Sequence, residues 1–162
     1  MPSRNDLRPN EEAVDGPPPG DAQLRFIGVI RTPFTSRELC PRQGDAINGP
    51  ECRVVLEPLW HKALKGLERY DFIELFYWLH ESRRDLVLQS PKANGETTGT
   101  FALRSPVRPN PIGLSRVRLL GVEAGALRVR GLDCLNGTPL LDVKPDRCAY
   151  TPQVPPKPTA MG

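Results

Sequence analysis

The most constraining feature of this sequence is a pair of alternating runs, residues 114–122 and 127–132, separated by a short segment that contains Gly125. Apolar and charged side chains alternate in both runs, as in a strand with one buried and one exposed face. Two such runs around a glycine turn predict an antiparallel hairpin. Its polar face can contact nucleic-acid phosphates or be an ordinary solvated exterior. That face carries Arg116, Arg118, Arg128 and Arg130.

The remaining secondary structure predicts a mainly β fold. Residues 56–69 place apolar side chains on one stripe at helical spacing, with Pro58 in the first turn, and predict one amphipathic helix. One helix among about six short strands indicates a small β-barrel-like domain rather than alternating β and α units. The other predicted strands are 24–30, 72–80, 99–104 and 140–143.

The length of 162 residues predicts a single domain. Residues 1–23 contain five of the 19 prolines and little apolar surface, so we expect a disordered N-terminal tail. Residues 151–162 contain four more and predict a second disordered tail. The folded domain is therefore expected over residues 24–150.

The composition excludes several classes of protein. No run approaches the roughly 20 apolar residues of a membrane-spanning helix, and the first residues lack a secretory signal, so we expect a cytoplasmic protein without a membrane partner. The four cysteines form no C-x-x-C pair, which argues against a metal site and favours reduced thiols. Neither a Rossmann glycine fingerprint nor a P-loop is present. The net charge of +3 is compatible with an anionic partner.

Two segments between the predicted strands concentrate turn-forming and polar residues. Residues 104–115 read RSPVRPNPIGLS, a proline-stiffened ribbon that either holds Asn110 toward a purine edge or is a plain rigid connection. Residues 133–145 read DCLNGTPLLDVKP and contain an Asn-Gly turn. Asp142 and Lys144 follow on one strand face, as a surface pair or as part of a site.

Together these segments resemble the TrmO family, also called TsaA-like or YaeB-like proteins. The resemblance covers about 120 residues. It rests on IGVIRTPF (27–34), PRQ (41–43), the helix and aromatic strand (56–80), GTFALRSPVRPNPIGLS (99–115) and GLDCLNGTPLLDVKP (131–145).

The resemblance implies a non-Rossmann methyltransferase that uses S-adenosylmethionine and acts as a homodimer. It further implies N6-methylation of N6-threonylcarbamoyladenosine beside the anticodon of tRNA. The residues that it implies as cofactor contacts are Pro41, Arg42, Gln43, Gly44, His80, Glu81, Arg104, Asn110, Leu114, Asp133, Leu135, Asn136, Gly137 and Thr138.

For the reaction itself, Asp142 is the candidate proton acceptor, and Lys144 is the candidate contact for an anionic part of the substrate. The sequence departs from the family pattern at Asn136, where the family usually has Asp, and at Asp146, where it usually has Tyr. Longer members also continue into a C-terminal domain. Two alternatives therefore stay open: a methyltransferase for another small-molecule or RNA acceptor, and a non-catalytic module that binds S-adenosylmethionine.

Overall fold

The computed structural model describes residues 6–16 and 20–147. Over these ranges the chain is built from strands and short 3₁₀ helices, and no helix is long and apolar enough to cross a membrane. The 3₁₀ helices are Arg37–Leu39, Pro58–Leu64, Leu67–Arg69 and Thr100–Ala102. The strands are β1 (Glu12–Ala13), β2 (Gly28–Arg31), β3 (Glu51–Leu56), β4 (Phe72–Trp78), β5 (Leu86–Gln89), β6 (Thr98–Gly99), β7 (Ile112–Glu123), β8 (Ala126–Arg130) and β9 (Thr138–Pro145).

Six strands close into an antiparallel barrel in the order β2-β3-β8-β7-β4-β9. Along β3 and β4 every second residue is buried, because alternate side chains of a barrel strand point inward. Because this sheet closes on itself, every strand of the barrel has a hydrogen-bonded neighbour on both sides. The predicted mainly β, barrel-like fold is confirmed, and so is the hairpin, whose turn places Gly125 at φ +73°. The core includes Ile30, Val54, Ile73, Leu75, Val117, Leu127, Val129 and Leu140.

Three connections meet at one end of this barrel. Neighbouring strands run in opposite directions, so β2, β4 and β8 end where β3, β7 and β9 begin. The connections that join them are residues 32–50, 79–111 and 131–137. We call this the loop end of the barrel. The hairpin turn and the 3₁₀ helix Pro58–Leu64 lie at the opposite end.

The helical segment differs from the predicted helix over 56–69. Leu56 ends β3, and the rest forms 3₁₀ helices with Gly66 at φ +91° between them. Leu64 is buried and Trp60 packs on the core, but Leu59 is 69% exposed. A 3₁₀ helix turns every three residues rather than every 3.6, so the apolar stripe expected for an α-helix does not all face the core.

The connection that crosses from β4 to β7 forms most of a small second sheet. This sheet pairs β5 with β6 and with β1, inside the predicted N-terminal tail. Arg8 donates hydrogen bonds to the carbonyls of Ser90 and Pro91, so this stretch is structured, unlike the expectation. The predicted strand 99–104 is wrong beyond Gly99, because the chain turns into a 3₁₀ helix there. The predicted tail 151–162 lies outside the described residues.

Candidate functional site at the loop end of the barrel

The predicted cofactor residues come from all three connections at the loop end. The first connection contributes 41–44, the second contributes His80, Glu81, Arg104 and Asn110, and the third contributes 133–137. Leu114 and Thr138 lie near the starts of β7 and β9 at the same end. The fold thus brings together segments that are up to 97 residues apart, from position 41 to position 138.

The Asn136 turn holds the first connection in place. The backbone N–H of Asn136 donates to the carbonyl of Phe34 at 2.8 Å. The side-chain oxygen of Asn136 accepts from the backbone N–H of Thr32 at 3.2 Å. Gly137 follows at φ +85° and donates its N–H to the carbonyl of Ile30 at 2.8 Å. An amide oxygen serves this role as well as a carboxylate, so the departure from Asp at Asn136 leaves the turn intact.

Gly44 fixes the loop that carries Arg42 and Gln43. A β-carbon on Gly44 would overlap the carbonyl oxygen of Gly131, which itself has φ +119°. The two backbones therefore touch at a point where neither tolerates a side chain. Arg42 and Gln43 stay exposed above this contact, free to meet a ligand.

Two arginines hold the second connection: one ties it to the first connection, and the other forms hydrogen bonds within it. Arg37, in the first connection, donates to the carbonyl of Glu81 and lies 3.8 Å from its carboxylate. Arg84 donates to the Pro109 carbonyl and to the side-chain oxygen of Asn110, at 2.6 and 3.2 Å. The Asn110 oxygen is thus engaged by an arginine. His80 is exposed beside this cluster.

A polar network inside the barrel underlies the loop end. The Tyr77 hydroxyl lies 2.7 Å from the Ser115 hydroxyl and donates to Asp133 Oδ1 at 3.1 Å. Burial raises the pKa of Asp133, because removing a carboxylate from water disfavours its charge. Hydrogen bonds from Tyr77 and Ser115 and the positive charge of Arg104 act in the opposite direction. Asp133 is therefore a partly desolvated carboxylate at the floor of the site.

We expect Asp133→Asn to stabilise the fold near neutral pH. A raised carboxyl pKa means that the folded state binds the proton more tightly than the unfolded chain. The contribution of Asp133 to stability therefore falls as the pH rises from the usual carboxyl range through the raised pKa. Asparagine has no such penalty and can still accept from Tyr77. Thermal unfolding should show a Tm gain of ~2–4 °C for each kcal/mol recovered.

The gain from Asp133→Asn should shrink when both proteins are melted at a pH below the ordinary carboxyl range, where this carboxyl is protonated in the folded and the unfolded wild type alike. An equal gain at both pH values, or a loss at neutral pH, would contradict the desolvation argument. If Asp133 contacts the cofactor, the same variant also binds S-adenosylmethionine more weakly.

The predicted catalytic pair lies apart from these loops within one chain. Asp142 and Lys144 point outward from β9 and form an ion pair at 3.1 Å, each about half exposed. Asp142 lies four positions after Thr138, or about 13 Å along an extended strand. Asp142 also lines an open groove of about 520 Å³, whose walls include Trp60, Leu67 and Tyr70.

The outer face of β4 and β7 carries an exposed apolar surface. Phe76 lies opposite Leu114, and Trp78 lies opposite Ile112, in the strand register. Leu114 and Ile112 are about 40% exposed. Asp142 is the β9 neighbour of Phe76, so the predicted pair borders this surface. We call the side chains of Phe76, Trp78, Ile112 and Leu114 the apolar face.

The two buried cysteines of the described chain, Cys52 and Cys134, show no sign of a reactive role. Both are free thiols. Burial raises the pKa of Cys52 to about 11 and that of Cys134 to about 12, so both stay protonated at neutral pH. Within residues 6–16 and 20–147, no group of three His, Cys, Asp or Glu side chains is placed to hold a metal ion.

Several structural contributors were not among the predicted site residues, including Arg37, Arg84, Tyr77 and Ser115. Tyr77 and Ser115 lie at inward positions of strands whose side chains alternate between core and surface. The sequence therefore places a hydroxyl group in the core at each position, and a buried hydroxyl indicates a hydrogen-bonded partner nearby. Arg37 has no such signal, because its partner Glu81 is 44 residues away and meets it only through the barrel topology.

Comparisons with known proteins bear on this site. Residues 29–153 match the family model described as the tRNA-methyltransferase O N-terminal domain. A probable S-adenosyl-L-methionine-binding protein, VirR of Rhizobium radiobacter, is 55% identical over 149 residues, covering 92% of this chain and 85% of that protein. The human tRNA (adenine(37)-N6)-methyltransferase is 32% identical over 138 residues, covering 81% of this chain and 31% of that protein.

A solved structure agrees with the fold. The crystal structure of TrmO from Pseudomonas aeruginosa superposes with a TM-score of 0.65 at 34% identity. The superposition covers 87% of this chain and 61% of the TrmO chain, so this protein spans about three fifths of that structure. The family match over most of the chain, the relatives and the shared fold agree, and the protein belongs to the tRNA-methyltransferase O N-terminal domain family.

Proposed function

We propose that this protein is an S-adenosylmethionine-dependent methyltransferase that methylates N6 of N6-threonylcarbamoyladenosine in tRNA, next to the anticodon. The observation that carries the proposal is the meeting of the 41–44 loop, the Asn136 turn and the Asp133 network at one end of a non-Rossmann barrel. The human relative named above as a tRNA methyltransferase supports the acceptor. We place the activity in the cytoplasm, where its tRNA substrate would be modified.

The side chains at the loop end fit the proposed cofactor. S-adenosylmethionine, when bound, supplies a methyl group on a positively charged sulfur. Arg42 and Arg104 are exposed guanidinium groups suited to its carboxylate. Asp133 is a carboxylate suited to ribose hydroxyls. The side-chain amide of Gln43 can bind the edge of the adenine ring, and the backbone carbonyl of Asn136 can accept a hydrogen bond from the adenine amino group.

We also propose a homodimer in which each reaction site uses two chains. Asp142 lies four positions along β9 from the loop that ends at Gly137–Thr138, and it borders the apolar face. A second copy covering that face would remove its half-buried rings and its exposed aliphatic side chains from water. Contacts across a two-fold axis are reciprocal, so the partner can bring its Asp142 to these loops, and both sites form at once.

Methyl-labelled S-adenosylmethionine incubated with the protein and bulk tRNA tests the function. We expect label in tRNA that carries the threonylcarbamoyl group, and none in tRNA lacking it. Label found only in small molecules would mean another acceptor. Cofactor binding without any transfer would mean a binding module, the role that the name of the Rhizobium radiobacter relative states for that protein.

Asp142→Asn is expected to reduce turnover strongly while leaving cofactor affinity nearly unchanged. Proton transfer by a positioned side chain contributes on the order of 100-fold or more to rates. Single-turnover kinetics and calorimetric titration measure the two quantities on one sample. Unchanged turnover would remove Asp142 from the reaction.

Mixing two impaired variants, at a cofactor concentration too low to saturate Gly44→Ala, tests whether the sites are shared. Gly44→Ala impairs the loops of its own chain, whereas Asp142→Asn impairs the site of the partner. If sites are shared, mixed dimers keep one intact site of two, and random exchange restores about a quarter of wild-type activity. No recovery, in a sample shown to exchange subunits, would place each site within one chain.

A further inference from the structure

Arginines cover the outer surface of four neighbouring strands, β2, β3, β8 and β7. The strand register aligns them in two rows across the sheet. The first row is Arg31, Arg53 and Arg128, and the second is Glu51, Arg130 and Arg118. We call this surface the arginine face. Two of its members, Arg31 and Arg53, lie outside the hairpin that revealed the pattern in the sequence.

The arginine face places like charges opposite each other. Arg31 pairs in register with Arg53, Arg53 with Arg128, and Arg118 with Arg130. Like charges directly opposite on neighbouring strands destabilise a sheet. The paired arginines therefore do not stabilise the barrel. A bound polyanion would neutralise their repulsion, so the arrangement favours a role in binding.

Acidic neighbours offset the arginine face only in part. Glu123 pairs with Arg53 at 2.7 Å and with Arg128 at 3.3 Å, and Glu51 pairs with Arg128 at 3.3 Å. The Asp45 carboxylate also attracts Arg130, so five arginines and three carboxylates leave an excess of two positive charges. In the part of the chain that the structure describes, neither Arg31 nor Arg118 has a carboxylate at ion-pair distance, and both are exposed.

The position of the arginine face connects it with the candidate site. Arg31 ends β2 and Arg130 ends β8, so both lie where the connections of the loop end begin. A strand of nucleic acid that follows the face toward this end arrives at the loops that carry Arg42 and Asn136. The face and the site thus form one continuous path.

We propose that the arginine face binds the phosphate backbone of the RNA whose nucleotide enters the site. This inference rests on the proposed function, and it adds the surface that holds the substrate. Guanidinium groups suit phosphate oxygens because they donate two parallel hydrogen bonds. The two rows contain no aromatic side chain for base stacking and no large apolar side chain for membrane insertion. Binding through this face is therefore independent of base sequence and sensitive to salt.

The double variant Arg31→Gln/Arg118→Gln tests the proposal without breaking a described ion pair. Its matched control, Lys62→Gln/Lys65→Gln, removes the same charge from exposed residues of the helical segment at the opposite end. Affinity for unmodified tRNA is measured over a series of salt concentrations, without cofactor. The arginine variant should bind about tenfold more weakly at ~0.1 M salt, with a slope of log affinity against log salt shallower by about 1.5–2. The lysine control should match the wild type.

Further measurements separate this proposal from the proposed function. Arg31→Lys/Arg118→Lys restores charge and should recover most of the slope, and unchanged Tm values and cofactor titrations confirm intact protein. Equal losses in the glutamine variant and the lysine control, or no loss in either, would overturn the arginine face while tRNA methylation stands. If the wild type binds cofactor but no tRNA, and binds anionic vesicles instead, both the face and the RNA substrate are overturned.

Discussion

Gly113→Ala should destabilise the barrel by about 2 kcal/mol or more and disorganise the floor of the site. Gly113 faces inward on β7 directly across from Tyr77, and a β-carbon there would overlap the tyrosine ring. Overpacking of this kind costs ~1–3 kcal/mol. Displacing the ring also separates its hydroxyl from Ser115 and Asp133, and each buried group left unsatisfied adds ~1–3 kcal/mol.

Chemical denaturation measures this loss of stability, and Gly99→Ala is its matched control. Gly99 has φ −60° and open space around its α-carbon, so alanine should be tolerated there. Adding Tyr77→Leu to both the wild type and the alanine variant isolates the ring contact. Once the ring is gone, Gly113→Ala should cost much less. The same cost in both backgrounds would show that the ring is not the cause.

Gly44→Ala should weaken cofactor binding at least tenfold, equivalent to about 1.4 kcal/mol, with a smaller effect on unfolding. The new methyl group would collide with the backbone of Gly131, which cannot move aside like a flexible side chain. The loop that carries Arg42 and Gln43 must then lift from the third connection. The barrel core lies elsewhere, so the fold survives while the binding loop shifts.

Calorimetric titration with S-adenosylmethionine measures the effect of Gly44→Ala, again with Gly99→Ala as the control. Arg42→Ala provides a second comparison, because it removes a proposed ligand contact without moving the backbone. Both site variants should weaken binding, whereas the control should not. Wild-type affinity in Gly44→Ala would mean that the 41–44 loop does not hold the cofactor.

Much of the barrel could be predicted from local patterns. Residues 112–130 alternate over enough positions to define a hairpin, and the aromatic stretch 72–78 is typical of a strand. The sequence patterns do not predict strand β3, although its side chains also alternate, because its last residue, Leu56, also fits the helical stripe that follows. Apolar residues spaced three and four apart fit both a 3₁₀ helix and an α-helix, so this spacing does not distinguish the two. The exposure of Leu59 follows from the way the segment packs on the barrel, which the spacing does not encode.

The site could be predicted only in pieces. The proline-rich and Asn-Gly segments mark two of its loops in the sequence. Their meeting depends on the strand order, which is set by pairing between distant residues, such as Gly28 with Leu140. The Gly44–Gly131 contact and the Arg37–Glu81 bond follow from that order and have no local signature. The family resemblance identifies the candidate residues. The strand order of the barrel explains why they lie at the same end of the fold.

Mapping of backbone amide resonances during titration with S-adenosylmethionine tests most directly where the cofactor binds. We expect the largest shifts in the connections 32–50, 79–111 and 131–137 at the loop end. Amides of the 3₁₀ helix Pro58–Leu64 and of the hairpin turn at Gly125 should stay unchanged. Shifts confined to that opposite end, or no shifts at millimolar cofactor, would contradict a methyl-donor site built from the loops of this barrel.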